Sequence, residues 1–212
     1  MNTEILKAFY ERYPALSSIS TEIEKAYYIM ENAYLSGKKL LVAGNGGSAA
    51  DASHICGELM KSFRLKRPVS DELRQSLMNV DNEKGARLAD ALEAPLRAIC
   101  LTDIDALTTA YMNDREAACV WAQKLLGNGD EGDVFLALTT SGNSENVVLA
   151  AITAKAMGLK VIALTGAKGG KIAQYADVTV NVPETETFII QELHLPVYHL
   201  WCQLLEDRFF NV

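Results

Sequence analysis

The sequence has little positive charge and no long apolar run. It carries 20 Lys and Arg against 27 Asp and Glu, which gives a formal net charge of −7. We therefore expect no binding to nucleic acid or to anionic membranes, because both contacts need a basic surface. No stretch approaches the roughly 20 apolar residues that cross a bilayer. An anionic small molecule would have to be held by local hydrogen-bond donors.

Cysteine and histidine are also scarce. Four cysteines are spread along the chain without a Cys-x-x-Cys pair, and the opening letters MNTEILKAFYERY lack the apolar core of a signal peptide. These absences predict a reduced protein in the cytoplasm. Only three histidines are present, so the candidates for acid–base chemistry are few.

The hydrophobic fraction of 49% is enough for a full core. Short apolar runs at 39–43, 96–101, 134–138, 160–164 and 178–182 are separated by helical patterns. Because these runs do not alternate strictly with polar residues, they predict an α/β fold whose parallel sheet is covered on both faces. We predict one long helix over 187–210, with Pro196 as its weak point.

The rest of the chain is consistent with one domain, which we predict to span residues 1–212. Two helical patterns fill residues 1–36, and no linker or internal repeat follows them. The stretch 69–94 is too long for an ordinary α/β connection and has helical spacing, so we predict an inserted helical hairpin or flap there.

Three glycine-rich turns follow predicted strands. AGNGGSA follows the first, TTSGNSEN the third and TGAKGGK the fourth. In open parallel sheets, ligands bind beyond the carboxyl ends of the strands. Glycine lets the backbone approach an anion, and helix N-termini with nearby hydroxyls hold phosphates. Turn and cap chemistry explains any one of these turns, but the first and third together favour a phosphate site.

Two nucleotide-binding patterns can be compared with the first turn. A P-loop would need a lysine that GNGGSA lacks. The dinucleotide pattern G-x-G-x-x-G/A fits Gly44, Gly46 and Ala49. However, the acid expected at the end of a second strand falls in SFRLKRPVSD, which is basic and not strand-like. Dinucleotide binding therefore stays open only as a weaker alternative.

The pair GNGGS at 44–48 and TSGNS at 140–144 resembles the sugar isomerase (SIS) family of phosphosugar-binding domains. The longer matches GNGGSAADASHICGEL, RP at 67–68, ND at 113–114 and IQELH at 190–194 are similar to its phosphoheptose isomerase branch. This resemblance implies a flavodoxin-like, three-layer sandwich around a five-stranded parallel sheet. It also implies conversion of sedoheptulose 7-phosphate to D-glycero-D-manno-heptose 7-phosphate, and a homotetramer with sites at subunit interfaces.

The residues also suit such a reaction chemically. A ketose–aldose isomerisation through an enediol needs a base at carbon and an acid–base group near the oxygens. His54 and Glu58, at i and i+4, share one face of the helix that Ser48 begins. On the last helix, spacing alone does not choose between His194 and His199 as their partner.

The resemblance assigns the site residues. It implies that Glu58 is the base, that His199 is its acid partner, and that His54, Glu58, Gln191 and His199 bind Zn²⁺. It further implies a set of substrate- and phosphate-binding residues. These are Asn45, Gly46, Gly47, Ser48, Glu58, Asn113, Asp114, Thr139, Thr140, Ser141, Ser144 and Gln191.

The main alternative is a binding protein rather than an enzyme. Some members of the SIS family only bind phosphosugars, and one relative binds the bacterial replication initiator and lacks the base and the second histidine. Ser62 stands where an arginine is common in the family, and Phe188 where an aspartate often occurs. Glu58 and His199 are present, which favours the isomerase.

Overall fold

A five-stranded parallel sheet forms the centre of the computed structural model, which describes residues 1–211. The strands are β1 (Leu40–Ala43), β2 (Ala98–Cys100), β3 (Val134–Leu138), β4 (Lys160–Thr165) and β5 (Val178–Asn181). They lie in the order β2-β1-β3-β4-β5, and every neighbouring pair is parallel. The predicted α/β sheet is confirmed, and each apolar run matches its strand to within two residues at either end.

Nine α-helices surround the sheet within residues 1–211. They are α1 (Thr3–Arg12), α2 (Ser20–Leu35), α3 (Gly47–Met60), α4 (Asp71–Val80), α5 (Asn82–Ala91), α6 (Ala106–Asp114), α7 (Val120–Asn128), α8 (Glu145–Ala156) and α9 (Thr187–Phe210). The long last helix has its predicted bounds, and Pro196 lies inside it without interrupting it. None of the helices in this described part has the length and apolarity needed to span a membrane.

The strands send alternate side chains into two separate cores. Leu40 and Val42 belong to the core that also contains residues of α1, α2, α3 and α9. Leu41 and Phe135 belong to the core on the opposite face, beneath α7 and α8. Helices therefore cover both faces of the sheet, and the expected three-layer sandwich is confirmed.

The segment 69–94 contains the two helices α4 and α5. Ser70 and Asp81 cap them by accepting hydrogen bonds from Leu73 N and Lys84 N. The two helices pack mainly on each other, and α4 has no buried residue. That the whole chain forms one domain with this segment as an insertion stays a prediction.

Candidate active site along two glycine loops and two helices

The loops after β1 and β3 lie side by side because these two strands are neighbours in the sheet. The Asn45 side chain connects them. Its Nδ2 donates to Asn146 Oδ1 at 2.8 Å, and its Oδ1 accepts from Asn146 Nδ2 at 2.9 Å and from Trp121 Nε1 at 3.2 Å. Asn146 lies in the first turn of α8, so Asn45 holds the starts of both loop–helix units together. This is the point where the strand order reverses, the usual ligand position in this topology.

Glycine is required at two points of these loops. Gly46, which precedes α3, has a φ of +53°, and Gly142 in the β3 loop has a φ of +67°. A Cβ on Gly142 would lie 1.8 Å from the carbonyl oxygen of Gly169. The third glycine turn, after β4, thus packs directly against the β3 loop. Lys171 N donates to Asn143 Oδ1 at 3.0 Å across the same contact, so the third turn supports the second.

The predicted phosphate-binding hydroxyls all lie at this edge of the sheet. Ser48 is buried at the start of α3. Thr139 Oγ1 is 3.1 Å from Ser144 Oγ, and Ser141 Oγ accepts from Asn143 N at 3.1 Å. No side chain caps α3, so its N-terminus, with its partial positive charge, opens on the loops.

Helices α3 and α9 run next to each other in the same direction, and we call their contact the α3–α9 seam. At its start the Gln191 amide lies against Gly47, where an added Cβ would be 2.7 Å from Nε2. Farther along, the Tyr198 hydroxyl donates to Asp51 Oδ1 at 3.1 Å and is 3.0 Å from His54 Nδ1. The seam therefore connects the glycine loops to the predicted acid–base residues.

His54, Glu58 and His199 come together halfway along the seam. His54 Nε2 is 3.1 Å from Glu58 Oε1, and the His54 and His199 rings are 5.0 Å apart between centroids. His199 Nε2 is buried and has no hydrogen-bond partner. Burial lowers the pKa of His199, the neighbouring His54 lowers it further, and Glu58 opposes the shift. The shift favours the neutral form of the His199 ring, which lies next to His54 on the other helix.

The other histidine of α9 has a different environment. His194 is fully buried, and neither ring nitrogen has a hydrogen-bond partner. Burial lowers the pKa of His194 to about 4, with a smaller opposing effect of the Thr165 backbone. The structure thus separates the two histidines that helical spacing left equivalent: His199 lies next to His54, and His194 lies in the core.

A buried ion pair fixes the end of α3. Arg67 Nε donates to Glu206 Oε1 at 2.8 Å, while its Nη1 and Nη2 donate to the carbonyl oxygens of Leu59 and Glu58 at 2.8 and 3.2 Å. Glu206 also accepts from the backbone N–H groups of Phe63 and Arg64 at 2.7 and 2.8 Å. The α3 carbonyls left free at the helix end are satisfied in this way, and the backbone of Glu58 is held in place.

Two predicted substrate-binding residues lie away from the glycine loops and from the α3–α9 seam. Asn113 and Asp114 are exposed at the end of α6, where Asn113 Nδ2 donates to Asp114 Oδ1 at 2.8 Å. Within residues 1–211, no hydrogen bond joins either side chain to the glycine loops. Gln191 lies at the loop end of the seam, against Gly47.

The donor atoms at the seam suit a zinc ion in type. Two imidazoles and a carboxylate are common zinc ligands, although an amide is less usual. His199 Nε2 is a buried nitrogen without a partner. Over residues 1–211, however, no three His, Cys, Asp or Glu side chains are grouped so that they could hold a metal ion. His54 Nε2 and Glu58 Oε1 are 3.1 Å apart.

An open groove of about 370 Å³ ends at His199. Phe63 and Arg64, in the segment after α3, line one side, and α1 lines the other with Phe9 and Arg12. The Phe63 ring lies 5.5 Å from the His199 ring between centroids. Of the predicted acid–base residues, His199 lines this groove, whereas His54 and Glu58 do not.

Sequence reasoning missed three residues of the seam: Asp51, Tyr198 and Glu206. Asp51 had a weak signal, since it lies three residues before His54 on one face of α3. Tyr198 and Glu206 had none, because their roles depend on how α9 is placed against α3.

The comparisons with known proteins agree with the predicted family and fold. A model of the SIS domain matches residues 116–202, and a second SIS domain model matches residues 11–94. The chain is 34% identical over 201 residues to a phosphoheptose isomerase of Akkermansia muciniphila, covering 95% of this chain and 93% of that protein.

Two solved phosphoheptose isomerase structures are similar over almost their whole length. The one from Neisseria gonorrhoeae has a TM-score of 0.72 at 30% identity, with 97% of this chain and 98% of that chain covered. The one from Francisella tularensis has a TM-score of 0.76 at 28% identity, with 98% and 100% covered.

Proposed function

This chain belongs to the phosphoheptose isomerase family of SIS domain proteins, and on that basis we propose that it isomerises sedoheptulose 7-phosphate to D-glycero-D-manno-heptose 7-phosphate. One observation carries the proposal. The helix that starts at the β1 glycine loop also bears His54 and Glu58, and α9 places His199 next to them.

The phosphate group would bind where the loops meet. The uncapped start of α3 and the Ser48 hydroxyl would hold it from one loop, and Thr140, Ser141 and Ser144 would hold it from the other. Asn45 keeps the two loops in register through Asn146. Gly46, Gly47 and Thr139 complete the turn backbone, and Gln191 lies directly over Gly47.

The reacting carbons would lie farther along α3. Glu58 comes eleven residues after Gly47, which corresponds to about 16 Å of helix. A substrate with its phosphate at one end and its reacting carbons at the other fits such a spacing. In a ketose 7-phosphate, the phosphate is on carbon 7 and the chemistry occurs at carbons 1 and 2.

Glu58 would remove a proton from carbon 1 and return it to carbon 2 of the enediol. His199 would take the proton from the oxygen on carbon 1 and give it to the oxygen on carbon 2. The ketose becomes an aldose with no net loss of atoms or electrons. The lowered pKa of His199 favours the neutral ring that such a step needs at its start.

We also propose that His54, Glu58, Gln191 and His199 bind Zn²⁺. The types of donor and the unpartnered Nε2 of His199 support this assignment. Gln191 would have to turn from Gly47 toward the histidines. When bound, the ion would polarise the sugar oxygens as a Lewis acid.

The proposed assembly is a homotetramer in the cytoplasm whose neighbouring subunits complete each site. Asn113 and Asp114 support this arrangement, because they lie exposed on α6, away from the loops of their own chain. Light scattering tests it, and a monomer would contradict it.

The activity is tested by NMR of sedoheptulose 7-phosphate incubated with the protein and Zn²⁺ in deuterated water. We expect an aldose product and deuterium exchange at carbon 1. Glu58→Gln should reduce both by about 10²- to 10⁴-fold, the usual contribution of a general base. The control is Glu83→Gln, an exposed glutamate on α5, which should leave both rates unchanged. Binding without turnover or exchange in the unaltered protein would contradict the proposal and favour a binding module.

A further inference from the structure

The Tyr198 hydroxyl bridges two side chains of α3. It donates to Asp51 Oδ1 at 3.1 Å and lies 3.0 Å from His54 Nδ1. A carboxylate only accepts hydrogen bonds, and a tyrosine hydroxyl has a single proton to donate. Because that proton points to Asp51, the Tyr198 oxygen offers only lone pairs to His54. In this arrangement His54 Nδ1 carries the hydrogen of the contact.

The opposite nitrogen of His54 is thereby directed at Glu58. Nε2 lies 3.1 Å from Glu58 Oε1. In a neutral ring with its hydrogen on Nδ1, Nε2 carries a lone pair. The bridge from Asp51 thus leaves the Nε2 lone pair of His54 facing the Glu58 carboxylate, so that one cation could be bound by both.

The surroundings make the bridge rigid. Tyr198 is only 1% exposed, so water cannot replace its hydroxyl freely. Asp51 Oδ2 is buried and has no hydrogen-bond partner, which leaves Oδ1 and its bond to Tyr198 as the ordering contact of the carboxylate. Tyr198 also precedes His199 in α9, so the same turn of helix carries the bridge and the proposed acid partner.

We propose that Tyr198 and Asp51 are positioning residues that hold His54 with Nδ1 protonated and Nε2 turned toward Glu58. The proposal rests on the proposed function, because it concerns the same site. A histidine that binds a metal usually donates its other N–H to an ordered acceptor, and loss of that acceptor costs about 10- to 100-fold in metal affinity or activity. Here the tyrosine oxygen would be the acceptor and Asp51 would fix its orientation.

The test is the Tyr198→Phe variant with two measurements. The first is Zn²⁺ affinity by competition with a chelator, where we expect binding about 10- to 100-fold weaker than in the unaltered protein. The second is ¹⁵N NMR of the metal-free protein at a pH where the His54 shifts indicate a neutral ring. The unaltered protein should show Nδ1–H, and the variant a mixture of both tautomers.

Tyr27→Phe is the matched control. Tyr27 is also buried and donates to a carboxylate, Glu31 Oε1, at 3.1 Å. Both variants lose one buried hydroxyl–carboxylate bond, so the loss of stability should be comparable. Only Tyr198→Phe should change Zn²⁺ affinity and the His54 tautomer.

Asp51→Asn provides an independent variant. An asparagine can donate from its amide, which would let the Tyr198 hydroxyl turn and donate to His54 instead. We expect the Nε2–H tautomer to increase. Unchanged tautomers in both Tyr198→Phe and Asp51→Asn would overturn the proposal, as would full Zn²⁺ affinity in Tyr198→Phe. Absence of isomerisation in the unaltered protein would instead count against the proposed function, because the tautomer measurement needs no turnover.

Discussion

Two pairs of helices in this molecule are built in opposite ways. The α3–α9 seam joins segments roughly 140 residues apart through contacts such as Tyr198–Asp51, and the buried pair Arg67–Glu206 connects the segment after α3 to the same helix. The α4–α5 hairpin joins consecutive helices, and its ion pair, Arg74–Asp90, is exposed. The predicted acid–base residues His54, Glu58 and His199 lie along the first pair. Long-range pairing creates a sheltered polar seam that neighbouring helices on the surface do not provide.

The largest expected effect is at the buried end of the seam. Glu206→Ala leaves the Arg67 guanidinium buried without its partner and removes the acceptor of two backbone N–H groups. Loss of one member of a buried ion pair costs about 3–5 kcal/mol. We expect the free energy of unfolding, measured with urea, to fall by that amount.

The hairpin supplies the control for this measurement. Asp90→Ala removes the ion-pair partner of Arg74. Both side chains of this pair are exposed, Arg74 by 40% and Asp90 by 69%. Solvent-exposed pairs contribute at most about 1 kcal/mol. Equal losses for Glu206→Ala and Asp90→Ala would remove the energetic distinction between the two helix pairs.

The same contrast explains what could be predicted from sequence. The strands and the long last helix follow from local hydrophobic pattern, and the glycine loops from their position after strands. The seam depends on how far α9 slides along α3, which no local pattern specifies. The histidines illustrate this point: His194 and His199 are equally plausible by spacing, and only packing buries one in the core and places the other by His54.

The pH dependence of the free energy of unfolding tests a second buried group of the α3–α9 pair, His194 of α9. Burial lowers the pKa of His194 to about 4, below the ordinary value of about 6.5. The unfolded chain therefore takes up a proton at a higher pH than the folded chain. The neutral, buried His194 ring therefore contributes stability that is fully present above about pH 6.5. This contribution, about 3 kcal/mol in total, is lost as the pH falls toward about 4.

His194→Leu tests this assignment. The variant should show a shallower loss of unfolding free energy between pH 6.5 and 4 than the unaltered protein, in urea titrations at a series of pH values. The α4–α5 hairpin has no comparable group, because the buried residues of α5 are Gly85 and Ala89, which do not titrate, and α4 has no buried residue. Parallel pH curves for the two proteins would show that His194 does not cause the pH dependence.

Of the variants proposed as tests, Gly85→Ala in the hairpin is expected to have the smallest effect on the free energy of unfolding of the whole protein. A Cβ on Gly85 would lie 2.2 Å from the Leu77 carbonyl oxygen and 2.7 Å from Met78 N. Both contacts are with backbone, so α4 and α5 must separate, at a local cost of about 1–3 kcal/mol. We expect faster hydrogen exchange in α4 and α5, measured by mass spectrometry.

Gly127→Ala, in α7, is the matched control, because a Cβ there meets nothing within 4 Å and alanine favours a helix over glycine. It should leave exchange in the hairpin unchanged. For Gly85→Ala, protection in α3 and α9 should persist, because a region can open locally when few buried contacts tie it to the rest. Loss of protection along the seam would mean that the hairpin supports the site. The route for that coupling would be Glu93, which accepts from Ser62 N at 2.9 Å where the hairpin rejoins the segment after α3.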